Sequence, residues 1–354
     1  MKILQVSPRY PPATGGIERH VRSLSERLAK RGHEVSVLTT TTGLRKEKEI
    51  QNDVKVQRIP AIAPKNEFHF TPLISPLVYF SSADIVHAHG YHSFPLVFAT
   101  LGARNIPTVL TPHYLGSNSG VRGVLHKMYQ PIGGRTLRSA KKVIAVSRWE
   151  SNELSADFGI DPEIIPNGID VEWFSAADPY DFGQPYILCA SRLVENKGIQ
   201  YVIDSLTKLP DYHLIITGEG PYKEQLSNRV REQGLQNKVM FFGYVSEDKL
   251  RSLYAGAECH ILLSDFECYG LTPGESLAAG TPVVVYDQTA LSDWKDHKGC
   301  VAVTERDPET VADAIRETSK KSVSVGKIER WEDVTDKIEK IYTEVNNHEV
   351  SSPH

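Results

Sequence analysis

Two glutamates eight positions apart, Glu267 and Glu275, lie in the run Phe266-Glu267-Cys268-Tyr269-Gly270-Leu271-Thr272-Pro273-Gly274-Glu275. The apolar run Cys259-His260-Ile261-Leu262-Leu263 leads in, and Gly280-Thr281-Pro282 closes the stretch before Val283-Val284-Val285-Tyr286. This order predicts a strand, a loop carrying Glu267, and a helix over 273–279 that opens on Pro273 and holds Glu275 in its first turn. The free N–H groups of a first turn bind an anion such as a diphosphate. Glu275 beside them can accept hydrogen bonds from vicinal hydroxyls, and Glu267 is a second hydroxyl acceptor one loop away. Phosphate, ribose and sugar together describe a nucleotide-sugar site. The plainer alternative is a glutamate stabilised by the helix dipole alone.

Four further places at predicted strand ends carry related chemistry. Pro11-Pro12-Ala13-Thr14-Gly15-Gly16 follows the first strand, and Gly15 and Gly16 let backbone approach a ligand closely. The spacing is not Gly-x-Gly-x-x-Gly, so a dinucleotide fingerprint is excluded. In Ser191-Arg192-Leu193-Val194-Glu195-Asn196-Lys197-Gly198, Arg192 supplies a planar fork and Lys197 a point charge for a diphosphate. Thr217-Gly218-Glu219-Gly220-Pro221 reads as a tight turn at a cleft rim. His87, His89, His92 and His113 also fall near strand ends, with His87 and His89 on one strand face. No carboxylate stands at ligand spacing from them and there is no Asp-x-Asp, so no metal is expected. A polar histidine in a sugar cleft is the preferred reading.

The elements that must position these residues alternate. Short β-rich runs at 2–7, 34–39, 54–59, 85–89, 108–111 and 142–146 are interleaved with helices over 17–31 and 94–102. After a strand and turn at 164–170, a segment over 171–185 rich in Asp, Pro and Ala reads as a linker. A second alternation follows at 186–191, 214–218, 239–243, 259–263, 283–286 and 300–303. The pattern is α/β with two parallel sheets, each covered on both faces. Ligands of such sheets bind outside the carboxyl ends of the strands, so two facing domains would leave a cleft between them. The expected division is 1–170 as a first domain, 171–185 as linker, 186–328 as a second domain, 329–346 as a helix, and 347–354 as a frayed tail.

The chain of 354 residues has the composition of a soluble globular protein, with 40% hydrophobic and 24% charged residues. Its four cysteines show no Cys-x-x-Cys spacing, which fits a reducing cytoplasm and no zinc site. No signal peptide is read, since Met1-Lys2 runs straight into an apolar strand, and no apolar run approaches a membrane span. Charge is unevenly shared: residues 1–170 carry 21 basic and 14 acidic side chains, and residues 171–354 carry 19 and 30. A basic first half suggests an anionic partner. Nucleic acid is not expected, because the basic residues are not interleaved with aromatics. A peripheral contact with an anionic membrane surface is a separate expectation. It rests on Arg122, Lys127, Arg135, Arg138, Lys141 and Lys142 together with the apolar loop 68–80.

Over nearly its whole length the chain resembles the GT-B glycosyltransferases, specifically the retaining glycosyltransferase family 4. Glu267 and Glu275 match the family's Glu-x7-Glu motif in the setting Glu-x-Tyr-Gly-Leu…Glu-Ser-Leu-Ala-Ala-Gly-Thr-Pro-Val-Val. Gly15-Gly16 with Glu18-Arg19-His20, the strand 84–89, Ser147, 166–170, the Arg192/Lys197 pair and Gly218-Glu219-Gly220-Pro221 are also family-like. The resemblance implies two facing Rossmann-like domains, with a final helix crossing back to the first. It implies a hexosyltransferase that takes a nucleotide-diphosphate sugar, a UDP-sugar or GDP-mannose, to a hydroxyl acceptor without metal or other cofactor. Glu275 would hold the ribose and Glu267 the transferred sugar, while Arg192 and Lys197 neutralise the diphosphate. Gly16, Gly270 and Leu271 would lie against phosphate or sugar, and His113 near the anomeric end. The region 65–79 matches no fixed family pattern, so the acceptor is open, as is the oligomeric state. A nucleotide-sugar epimerase on the same fold and a silent protein that only binds nucleotide sugar within a larger synthase are the competing readings.

Overall fold

The computed structural model describes residues 1–43, 47–64, 68–116 and 120–350, with backbone alone at 120–125 and 348–350. The Arg122 side chain and residues 65–67 therefore fall outside what is described. The chain forms two compact units, Met1–Gly168 with Trp331–His354, and Ile169–Arg330.

The first unit contains β1 (Lys2–Val6), α1 (Gly16–Lys30), β2 (Glu34–Thr41), β3 (Glu47–Gln51), β4 (Val54–Pro60), α2 (Ile74–Tyr79) and β5 (Ile85–His89). It continues through α3 (Phe94–Gly102), β6 (Thr108–Thr111), α4 (Gly120–Ser139), β7 (Lys142–Ala145), α5 (Arg148–Phe158) and β8 (Glu163–Ile164). The strand order is β3-β4-β2-β1-β5-β6-β7-β8. All neighbours run parallel except β3, which returns antiparallel on β4. The cause is local: Asn52 and Asp53 both take positive φ, which makes the two-residue hairpin turn that joins them. β3 is polar and exposed, as suits an edge strand.

Alternate residues of these strands feed two cores. Ile3, Val35, Val37, Ile85 and Val109 pack beneath α1, and Leu4, Val6, Leu38, Val86 and Leu110 pack beneath α2 to α5. The final helix belongs to the α1 side, and Trp331, Val334, Ile338, Ile341 and Tyr342 are its buried stripe.

The second unit contains α6 (Val171–Ser175), β9 (Tyr186–Ala190), α7 (Ile199–Ser205), β10 (His213–Thr217), α8 (Lys223–Glu232), β11 (Val239–Gly243) and α9 (Glu247–Gly256). β12 (Cys259–Leu262), α10 (Leu271–Ala278), β13 (Val283–Tyr286), β14 (Cys300–Val303) and α11 (Pro308–Thr318) complete it. Its six strands are parallel in the order β11-β10-β9-β12-β13-β14. The helix α12 (Trp331–Val350) then returns to the first unit.

The expected boundaries shift in three places. The stretch read as a linker holds α6, whose Val171 and Phe174 are buried in the second unit, with Phe174 packed 6.0 Å from the ring of Tyr254. The break before it falls at Gly168, and the later one at Arg330. The last helix runs through residues 347–350 of the expected frayed tail, because no helix breaker occurs before Pro353. Residues 351–354 lie outside the described residues.

Candidate functional site

In the second unit the strand order reverses between β9 and β12. A sheet of this kind leaves a crevice outside the carboxyl ends of those two strands. The loops that follow β9 and β12 carry Lys197 and Glu267. Gly198 takes φ 71°, and a Cβ there would stand 2.2 Å from the Leu263 carbonyl oxygen. Glycine is therefore what allows the two loops to lie against each other. Asn196 O accepts the Asp265 N–H at 2.8 Å and the Ser264 hydroxyl at 3.2 Å, which ties them further. The result is a direct ion pair between Lys197 Nζ and Glu267 Oε1, with the two side chains 14% and 17% exposed. Glu267 is held from behind as well, its N–H donating to Thr289 Oγ1 at 3.2 Å.

The loop after β10 joins this group. The Leu193 N–H donates to Glu219 O at 2.9 Å, and the Gly218 N–H donates to Gly243 O at 2.7 Å. Glu219 O thus touches the segment carrying Arg192, and so does Gly218, where a Cβ would stand 2.0 Å from Ser191 O. Arg192 and Glu219 are both exposed.

The helix after Glu267 starts earlier than expected. Gly270, at φ 84°, caps α10 and Leu271 is its first residue, so Pro273 stands third and Glu275 one turn in. A proline is tolerated there because the first N–H groups of a helix have no intrahelical partner. The helix start, with its N–H groups that lack an intrahelical partner, therefore falls at Leu271 and Thr272. Glu275 is 2% exposed, and its Oε2 accepts the Tyr254 hydroxyl at 3.2 Å.

In the first unit the reversal lies between β1 and β5. Gly15 caps α1 and Gly16 begins it. A Cβ on Gly15 would meet Glu18 Oε2 at 2.2 Å, so this glycine makes room for the buried Glu18 carboxylate, which pairs with Arg9 at 2.5 Å. His87 and His89 do face one side of β5, as their spacing requires, and both are fully buried. His87 is bonded on both ring nitrogens, to the Tyr342 hydroxyl at 2.6 Å and to Thr111 Oγ1 at 2.7 Å. His92 Nε2 accepts the Leu115 N–H at 3.3 Å.

His113 is buried and adopts φ 50°, a left-handed conformation that is uncommon for a residue with a Cβ. The next residue is clamped: the Tyr114 N–H donates to Glu150 Oε1 at 2.6 Å, and Glu150 Oε2 accepts the Val146 N–H at 2.7 Å. Burial raises the Glu150 carboxyl to about 8 against the pull of these two donors. Burial also lowers His113 well below the ordinary imidazole range, so it stays neutral at pH 7.

The second unit thus carries Arg192, Lys197, Gly218, Glu219, Glu267, Gly270, Leu271 and Glu275, of which Lys197 and Glu267 meet directly. Gly15, Gly16 and His113 lie in the first. Two supporting residues escaped the sequence reading. Glu150 is signalled by Ser147-x-x-Glu150, a capping box whose serine accepts the Glu150 N–H at 3.0 Å. Its carboxylate, however, is turned onto β7 and the His113 loop. Tyr254, which touches Glu275, carries no sequence signal.

Residues 14–173 match the family model described as Glycosyltransferase Family 4, and residues 176–341 match Glycosyl transferases group 1. The chain is 27% identical to an uncharacterised glycosyltransferase of Methanocaldococcus jannaschii, over 88% of this chain and 87% of that protein. It is 29% identical to a glycogen synthase of Mycobacterium tuberculosis, over 80% and 77%. Among solved structures it shares the fold of a sucrose-phosphate synthase from Thermosynechococcus elongatus, at a TM-score of 0.81 and 19% identity over 98% of this chain and 100% of that one. It shares it also with Anabaena HepE in complex with UDP and glucose, at 0.78 and 18% over 97% and 99%. The two matched models, the two parallel-sheet units and these relatives agree: the chain belongs to the family 4-type GT-B glycosyltransferases and is a hexosyltransferase.

Proposed function

We propose that this enzyme is a retaining, metal-independent transferase. It moves a hexosyl unit from a UDP-sugar or GDP-mannose to a hydroxyl of a glycan, a glycolipid or a lipid-linked precursor. The observation that carries this reading is the Lys197–Glu267 pair at the β9/β12 reversal, which joins the loop bearing Arg192 to the loop that leads into α10. Glycosyl transfer builds positive charge on the sugar and negative charge on the departing diphosphate. Fixed cations and helix N–H groups at the leaving oxygens act where that charge develops. Lys197 and Arg192 supply the cations, so charge neutralisation needs no resident metal. Glu267 holds a sugar hydroxyl and keeps Lys197 in place. Glu275 orients the ribose, and neutral His113 serves as a hydrogen-bonding group near the anomeric carbon. The acceptor hydroxyl attacks on the face from which the diphosphate leaves, and a diphosphate oxygen takes its proton.

The names of relatives support the acceptor classes. One is a glycogen synthase. Another, 29% identical over 80% of this chain and 61% of its own length, is the human phosphatidylinositol N-acetylglucosaminyltransferase protein. A peripheral contact with an anionic membrane surface belongs to the same reading. Leu73, Tyr79 and Phe80 around α2, and Met128 and Ile132 on α4, are exposed, with Phe80 82% exposed, and α4 also bears Lys127, Arg135 and Arg138.

The test is a thermal-shift screen with UDP, GDP, ADP and CMP, with and without EDTA, repeated on Glu275→Ala. A ligand that binds the native state raises its melting temperature. A shift for one nucleotide that ignores EDTA and disappears in the variant supports the reading and identifies the donor base. No shift with any nucleotide overturns the reading, a shift with no sugar transferred favours the silent binding protein, and turnover of the donor to an isomer without acceptor favours the epimerase.

A further inference from the structure

Three histidines of the first unit, His20, His89 and His113, bring one ring nitrogen each to a common point, with these atoms all within 4.8 Å of one another. The residues come from α1, the end of β5 and the loop after β6, so the fold and not sequence spacing gathers them. Their ring centroids lie 5.2 to 5.8 Å apart.

The protonation of two of the rings follows from their partners. His20 Nδ1 faces Asn167 Oδ1 at 2.7 Å, and an amide oxygen only accepts, so Nδ1 carries the hydrogen and Nε2 keeps its lone pair. His89 Nε2 faces Gln5 Oε1 at 2.8 Å, which leaves the lone pair on Nδ1. The Gln5 amide is itself oriented, because its Nε2 donates to the Tyr342 hydroxyl at 3.0 Å. The remaining nitrogens, His20 Nε2 and His89 Nδ1, together with His113 Nε2, are buried and make no hydrogen bond. Three unsatisfied imidazole nitrogens in one buried place are costly unless something accepts their lone pairs. Imidazoles whose far N–H is held by an amide oxygen are arranged as metal-ligating histidines are.

We infer that His20, His89 and His113 form a binding site for one divalent transition ion of the zinc, cobalt or nickel type. Oxygen-preferring ions such as magnesium are excluded by the all-nitrogen donor set. Zinc–nitrogen bonds of about 2.0–2.1 Å place ligand nitrogens roughly 3.3 Å apart, so no pair need close by more than about 1.5 Å on binding. Burial lowers all three imidazoles, His20 to about 4 and the other two well below the ordinary imidazole range, so protons do not compete near pH 7. The ion takes no part in the transfer proposed above. Instead it withdraws His113 from the donor, so that occupancy inhibits turnover; this consequence alone rests on the donor-side role of His113.

The test uses the full chain, stripped with EDTA and titrated with Co2+ alone. The expected result is a visible four- or five-coordinate spectrum that saturates at one equivalent and is erased by Zn2+. His20→Gln and His89→Gln lose it, and Asn167→Ala weakens binding about 10–100-fold. A measurement free of variants supports the same point: in the 15N-labelled wild type, Zn2+ should move the ring signals of three of the 13 histidines first. Absence of the spectrum, or its survival in His89→Gln, overturns the site and leaves a water-filled histidine cluster. One-equivalent binding without inhibition upholds the site and overturns the donor role of His113.

Discussion

The Glu150 carboxylate accepts the Tyr114 N–H at 2.6 Å and so clamps the residue after His113, which is itself left-handed at φ 50°. This contact has a pH signature. Burial raises the native carboxyl to about 8, whereas an unfolded glutamate titrates near 4.3. Between those values the native state holds a proton that the unfolded chain has released, so stability falls as pH rises from about 4.5 to 8. Melting temperature measured across pH 5–8 should fall in the wild type and be flatter in Glu150→Gln. The variant should also lose about 1–3 kcal/mol, since a glutamine places an NH2 group against one of the two N–H donors. A flat wild-type profile would show the carboxyl ionised throughout.

Lys197→Ala should reduce kcat by about 10²–10³-fold, the size seen when one preorganised charge-stabilising group is removed. The discriminating readout is binding. Affinity for a nucleoside diphosphate should weaken while that for the monophosphate is retained. Equal loss for both would mean that Lys197 serves only to hold Glu267.

Gly198→Ala is the sharpest test of the local architecture. The new methyl would meet Leu263 O at 2.2 Å, at a residue with φ 71°. Strain and overpacking each cost about 1–3 kcal/mol, so urea denaturation should show a loss in that range or above.

Tyr342 of α12 is fully buried, and its hydroxyl joins Gln5 and His87. Tyr342→Phe leaves both without that partner and should cost about 1–3 kcal/mol in chemical denaturation. Truncation at Arg330 removes the apolar stripe of α12 and should leave the first unit unfolded by circular dichroism, the second unit retaining its sheet.

Vesicles containing anionic lipid should co-sediment the protein at low salt and release it as ionic strength rises. Replacing Phe80 by Ser together with Lys127 and Arg135 by Glu should abolish the association. Equal binding by that variant would remove this surface from consideration.

Much of this architecture is legible in the order of residues. Strand and helix alternation specified two parallel-sheet units, because apolar runs flanked by helical stripes have few other ways to be covered on both faces. The spacing of His87 and His89 put them on one strand face, since the pleat repeats every two residues. The Glu267–Glu275 run and the Arg192–Lys197 loop marked two strand ends as candidate sites, because their residue types have a direct phosphate and hydroxyl chemistry. The start of α10 was misplaced by two residues, since Gly270 can cap a helix only through a positive φ that composition does not reveal. Which distant loops touch was set by packing in three dimensions. Lys197 meets Glu267 across 70 positions because β9 and β12 are neighbours and Gly198 lets their loops close. Glu150 reaches Tyr114, and His20 reaches His89 and His113, because helices α5 and α1 are laid on the sheet at particular registers. Such contacts depend on strand order and packing, and no local periodicity records either.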